Sequence, residues 1–123
     1  MKKILVIDDD DMVRTTIVRV LQSQGYQVVT ARDGEQGLRV HRREMPDLVI
    51  TDILMPEKEG IETIMTIKKE QPNARIIAIS GGGRFGDADV LEMAKQLGAC
   101  HSIAKPVEPE ELLRSVSRCL SDC

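Results

Sequence analysis

The sequence predicts an α/β fold built on one parallel sheet. Apolar runs rich in β-branched residues recur along the chain, continuous rather than alternating, as suits strands buried on both faces. Stretches with helical spacing of apolar residues lie between them in strict alternation. A polar residue ends most of these runs, and those residues are of chemically distinct kinds.

The first run is Ile4-Leu5-Val6-Ile7, followed by Asp8 and Asp9. Val13, Ile17, Val20 and Leu21 then mark a helix from Met12 to Gln24 that stops before Gly25. Asp11 is the expected cap and Asp10 a solvated neighbour. Val28-Val29 reads as a short second strand. Asp33-Gly34 opens a second helix, which runs toward Glu44 and ends before Met45-Pro46 because a residue preceding proline avoids the helical region. Leu48-Val49-Ile50-Thr51 repeats the pattern of the first strand and ends in Asp52.

Past Met55-Pro56 and Gly60, the residues Ile61, Ile64, Met65 and Ile67 form an amphipathic stretch. Ile76-Ile77-Ala78-Ile79 is a fourth strand ending at Ser80. A glycine-rich loop follows, and Asp87 is placed as the cap of a helix that ends at Gly98. Ser102-Ile103-Ala104 is a short fifth strand ending at Lys105. Pro109 opens the last helix, Glu110 to Leu120, with Leu112, Leu113, Val116 and Leu120 facing the core. The 123 residues fit one domain, taken as 1–123.

Composition narrows the function. Lys and Arg number 17 against 20 Asp and Glu, a formal net charge of -3, so a broad basic surface for nucleic acid is not expected. Tyr26 and Phe85 are the only aromatic residues, too few for a base-stacking platform. No apolar run approaches the ~20 residues that span a bilayer, and the first residues are too short for a signal peptide. A cytoplasmic protein with no membrane partner is expected. Cys100, Cys119 and Cys123 show neither a paired framework nor metal-ligand spacing, and Cys100 and Cys119 read as small packing residues. His41 sits at helical spacing from Leu38 and reads as a structural histidine, while His101 is expected to be exposed just before the fifth strand.

In an open parallel sheet, ligands bind beyond the carboxyl ends of the strands. Asp8, Asp9, Asp52, Ser80 and Lys105 therefore converge if the fold is right. Three carboxylates at one edge repel one another, and a hard divalent cation such as Mg²⁺ resolves that while leaving positions for phosphoryl oxygens. One carboxylate can attack phosphorus, with Ser80 and Lys105 spreading the charge that develops on the phosphoryl oxygens. Gly81-Gly82-Gly83-Arg84 lacks the spacing and the Lys-Ser/Thr of a P-loop.

The segments Val6-Ile7-Asp8-Asp9, Ile50-Thr51-Asp52-Ile53-Leu54-Met55-Pro56, Gly60, Ile79-Ser80 and Lys105-Pro106 resemble, in order, the response regulator receiver domain of two-component signalling. The resemblance implies a flavodoxin-like five-stranded parallel sheet of order 2-1-3-4-5 with helices on both faces. It implies that Asp52 is the phosphoacceptor, and that Asp9, Asp52 and the backbone carbonyl of Leu54 bind Mg²⁺, with Asp8 acting through a water. Ser80 and Lys105 correspond to the family's hydroxyl and lysine, and Lys105-Pro106 to a bond that is often cis. A sensor histidine kinase or histidine phosphotransfer protein is the implied donor, and a downstream protein the implied target.

Some positions depart from the family. Ser102 stands where most receivers carry an aromatic switch residue, Val107 where Phe is frequent, and the loop ending in Arg84-Phe85-Gly86 is longer than usual. Leu54 and Gly82, at positions that tune hydrolysis of the phosphoryl group, offer no polar side chain, which implies slow self-dephosphorylation. Two alternatives stand beside this reading: a small phosphatase using Asp8 of Asp8-Asp9-Asp10 as nucleophile, and a pseudo-receiver that only binds partners.

Overall fold

The computed structural model of the chain describes residues 2–53, 59–80, 92 and 95–121. Strands β1 (Lys3–Ile7), β2 (Gln27–Ala31), β3 (Leu48–Asp52), β4 (Ile76–Ser80) and β5 (His101–Ala104) form one sheet of order β2-β1-β3-β4-β5. All neighbours pair in parallel, and helices α1 (Asp11–Ser23), α2 (Gly34–Glu44), α3 (Glu59–Glu70) and α4 (Pro109–Ser121) cover the sheet. The order turns back at β1, so the β1/β3 crevice is the switch point at which such sheets bind ligands.

The period of two along each strand divides the core into two layers. Leu5, Ile7, Val49, Ile76 and Ala78 pack with Val40, Ile64 and Ile67 of α2 and α3. Ile4, Val6, Leu48, Ile50, Ile77, Ile79 and Ile103 pack with Ile17 and Leu21 of α1 and with Leu112, Val116 and Cys119 of α4. The strands β3 and β4 are buried at every residue, which explains why their sequences stay apolar until the polar residues at their carboxyl ends.

The helix ends follow local chemistry, with some departures from expectation. Asp33 caps α2 through a 2.7 Å bond from the Gln36 N–H. Met45 stops that helix in the left-handed region, at φ 47°, just ahead of Pro46. Pro109 occupies the first turn of α4, where its missing N–H costs nothing. Gly98, at φ 101°, donates its N–H to Lys95 O at 3.0 Å, matching its expected place at a helix end.

Asp10, rather than Asp11, caps α1, its carboxylate accepting from the N–H groups of Met12 and Val13. Asp11 lies inside the first turn and pairs with Arg14. Met65 is turned outward on α3, whereas Ile64 and Ile67 are buried. His101 begins β5 and is half-buried instead of preceding the strand in solvent. Of the last helix, Leu112 and Val116 are fully buried, while Leu113 and Leu120 are partly buried at the edge of that layer.

Cys100 and Cys119 form a disulfide across 6.1 Å between their Cα atoms, in contrast to the unpaired packing role expected of them. The pairing follows from topology. α4 runs back along β5, so its end returns to the start of the strand. Asp87, Gly81 to Gly86, Leu54 and Cys123 lie outside the described residues.

Candidate functional site

The carboxyl edge of the sheet gathers the residues by register. Ile7 pairs with Thr51, so Asp8 and Asp52, each one residue further on, are neighbours across the β1/β3 switch point. Ser80 pairs with Ala104, which places Lys105 one step beyond Ser80. Backbone bonds continue past the strand ends and fix this edge. The Asp8 N–H donates to Ala31 O (3.2 Å), Ile53 N–H to Ile79 O (2.9 Å), and Lys105 N–H to Ser80 O (2.8 Å).

Asp8 and Asp52 are buried, and Asp9 is exposed. Their carboxylate oxygens come within 4.8 Å of one another, a set that could hold a metal ion. Asp8 Oδ1 accepts the Asp10 N–H at 2.8 Å, while Asp8 Oδ2 is buried with no hydrogen-bond donor among the described residues. The Lys105 ammonium donates to Asp52 Oδ2 at 2.7 Å and lies 3.5 Å from Asp8 Oδ2. The Lys105–Pro106 peptide is cis. Ser80 Oγ is fully buried and also makes no hydrogen bond among the described residues.

Electrostatics reflect this crowding. Burial pushes the Asp8 carboxyl above its ordinary value, and the charges of Asp52 and Asp9 add to it against the Asp10 N–H and Lys105. Burial works against the charged form of Lys105, but its bond to Asp52 and the charges of Asp52 and Asp8 outweigh that and raise its pKa. An edge with two buried acids and an unbonded carboxylate oxygen fits a hard divalent cation, which carboxylate oxygens bind and which removes their mutual repulsion. Asp8, Asp9, Asp52, Ser80 and Lys105 thus meet at one edge, and Leu54 lies outside the described residues.

With that edge in view, comparison with known proteins is decisive. The sequence pattern of the response regulator receiver domain matches residues 4–117. The chain belongs to this family. It is 34% identical to sporulation initiation phosphotransferase F of Bacillus subtilis (strain 168) over 119 residues, covering 97% of this chain and 94% of that protein. It is 37% identical to the transcriptional regulatory protein GlrR of Escherichia coli (strain K12), of which it spans 26%. Among solved structures, a response regulator receiver domain protein from Clostridium thermocellum superposes with a TM-score of 0.89 at 33% identity, covering 98% of this chain and 94% of that one. The receiver domain of NtrX from Brucella abortus gives 0.90 at 29%, covering 98% and 99%.

This receiver carries one feature that sequence reasoning missed. Met12 is 81% exposed and, with Val13, Thr16, Ile17, Lys105, Pro106 and Val107, lines an apolar groove of about 480 Å³ beside the site lysine. The available signal was an apolar residue in the first turn of α1, outside the buried stripe of Ile17 and Leu21. Among the described residues, no helix is long and apolar enough to cross a membrane.

Proposed function

We propose that Asp52 is the phosphoacceptor of this receiver, and that residues 1–123 work as one receiver unit. The observation that carries the reading is the Lys105 ammonium 2.7 Å from Asp52 Oδ2, within a set that also holds Asp8 and Asp9. An Asp52 oxygen attacks phosphorus and the P–N bond of a phosphohistidine breaks, the electron pair leaving on the imidazole nitrogen. A carboxylate attacks as it stands, with no proton for a general base to remove. Lys105 pairs with a phosphoryl oxygen as charge grows there, and Ser80 Oγ donates to another.

In this reading Asp9, Asp52 and Asp8 would hold Mg²⁺, together with the backbone carbonyl of Leu54 that the family resemblance implies. Bound there, Mg²⁺ supplies positive charge to the phosphoryl oxygens and neutralises the acids. Once Asp52 is phosphorylated, Lys105 moves its bond from the carboxylate to the phosphoryl group, and Ser80 Oγ gains a partner there. A shift between two surface states follows from that difference in contacts. Leu54 and Gly82 provide no side chain to hold an attacking water, so self-dephosphorylation is slow.

The donor is a sensor histidine kinase or a histidine phosphotransfer protein, and the groove of Met12, Val13, Pro106 and Val107 beside Lys105 offers it an apolar contact. A downstream protein receives the signal in the cytoplasm. Likeness over nearly its full length to a protein named a sporulation initiation phosphotransferase supports a place in a phosphorelay.

Incubation with Mg²⁺ and acetyl phosphate, followed by intact mass, tests the reading. A single phosphate gain that is lost with EDTA and in Asp52→Asn is the expected result. Phosphate mapped to Asp8 would support the phosphatase alternative. No gain, where another receiver is modified, would support a pseudo-receiver.

A further inference from the structure

The Cys100–Cys119 bond lies at the opposite edge of the sheet from Asp52, and phosphoryl chemistry makes no use of it. It closes a ring, with a sequence separation of 19, that contains β5, Lys105 and nearly all of α4. The Cys100 N–H donates to Ile76 O at 2.6 Å, which fixes that end of the ring to the start of β4. The other end is Cys119, 1% exposed in the layer with Leu112 and Val116. Beside it, Arg75 Nη1 donates to Leu120 O at 3.2 Å. The Cα separation of 6.1 Å is one that a disulfide spans without backbone movement.

The two ends differ in access, since Cys100 is an exposed residue and Cys119 is buried. Thiol–disulfide exchange depends on which sulfur an incoming thiolate can reach. We propose that this bond is an exchange site entered at Cys100 by small thiols and disulfides of the glutathione class, and that it sets how firmly the end of α4 is held to the sheet.

In the reducing direction, a glutathione thiolate bonds to Cys100 Sγ as the Cys100–Cys119 bond breaks. The electron pair leaves on Cys119 Sγ, which takes up a proton in its apolar surroundings. A second thiolate then attacks the glutathione sulfur, releasing the Cys100 thiolate and glutathione disulfide. Two thiols are oxidised and one protein disulfide is reduced. Glutathione disulfide drives the reverse reaction. The ring closes around β5 and α4 in one state and is open in the other, so the oxidised ends open less often.

The test uses the full chain with Cys123→Ser, so that the third thiol takes no part. After equilibration with glutathione disulfide, acid quench and maleimide alkylation, intact mass is expected to show no free thiol. Excess reduced glutathione should expose two. A brief exposure to limiting reduced glutathione should leave its adduct on Cys100 in a peptide map. Amide exchange in the last turn of α4 should be roughly tenfold or more faster in the reduced protein. In Cys100→Ser with Cys123→Ser, exchange should match the reduced protein and ignore the redox couple; the exposed position of Cys100 makes this substitution mild. Two alkylated thiols after glutathione disulfide, an adduct on Cys119, or exchange indifferent to reduction would each overturn the proposal.

Discussion

The Lys105 ammonium stands 2.7 Å from Asp52 Oδ2 and 3.5 Å from Asp8 Oδ2, so one cation serves two buried carboxylates. Both carboxylates also belong, with Asp9, to the set that could hold a metal ion. Lysine and divalent cation are therefore competitors as well as neighbours, since like charges a few ångströms apart repel.

Lys105→Met keeps most of the side-chain volume and removes the charge. Partial exposure of the lysine screens the effect, leaving roughly 1 kcal/mol or more, or about fivefold tighter Mg²⁺ binding. Phosphate uptake from acetyl phosphate should fall in the same variant, because Lys105 no longer meets the growing charge. Calorimetric titration with Mg²⁺ reads the first effect and intact mass over time the second. Weaker Mg²⁺ binding would mean that Lys105 chiefly positions the carboxylates.

Gly60 supports the site from the first turn of α3. A Cβ at this position would run into the carbonyl oxygen of Asp52 and Cα of Ile53. Both are backbone atoms and cannot rotate away, so α3 or the end of β3 must move. Gly60→Ala should cost about 1–3 kcal/mol as overpacking, less the ~1 kcal/mol that alanine gains over glycine inside a helix. It should also slow Asp52 phosphorylation. Urea unfolding and acetyl phosphate uptake measure the two. Unchanged stability and rate together would show that the close approach of α3 is not required.

The cap of α1 separates two adjacent acids. Asp10 Oδ1 accepts from Met12 N–H at 2.9 Å and Val13 N–H at 3.2 Å, whereas Asp11 is engaged with Arg14. Asp10→Ala should lose about 1 kcal/mol of stability, and Asp11→Ala no more than a few tenths, the usual worth of an exposed i,i+3 pair. Equal losses in urea unfolding would contradict this assignment.

The same four-acid run shows where sequence reasoning reaches its limit. The strands and the site edge were legible because burial on both faces forces continuous apolar runs, and all but β2 lead directly to a polar residue of that edge, whereas the strand order was implied only by the family resemblance. Whether Asp10 or Asp11 caps α1 depends on which residue first turns helical, a difference of one position. The Cys100–Cys119 pair was hidden for another reason. Cys119 shares the buried face with Leu112 and Val116, but its partner is set by the return of α4 to the start of β5, a tertiary relation that residue spacing alone does not specify. Met12 escaped notice because exposure is decided by the rotation of α1 against the sheet.

His41 offers a pH test remote from the edge of Asp8, Asp52 and Lys105. It is 2% exposed on α2, and burial lowers its pKa, with the nearby Arg42 acting in the same direction and Glu70 against it. The folded protein therefore holds the ring neutral at pH values where the unfolded chain, at about 6.5, begins to bind a proton. Stability should fall as pH drops below about 6.5 toward the lower folded value, because the unfolded state takes up the proton first. Asp8 acts with the opposite sign: its raised folded pKa favours the fold as that carboxyl protonates. The wild-type curve is the sum of such contributions, so the difference from His41→Gln isolates the histidine. Urea midpoints between pH 8 and 5 should decline more steeply in wild type than in the variant, whatever the variant loses in packing at pH 8. Parallel curves would mean that His41 titrates alike in the folded and unfolded chain.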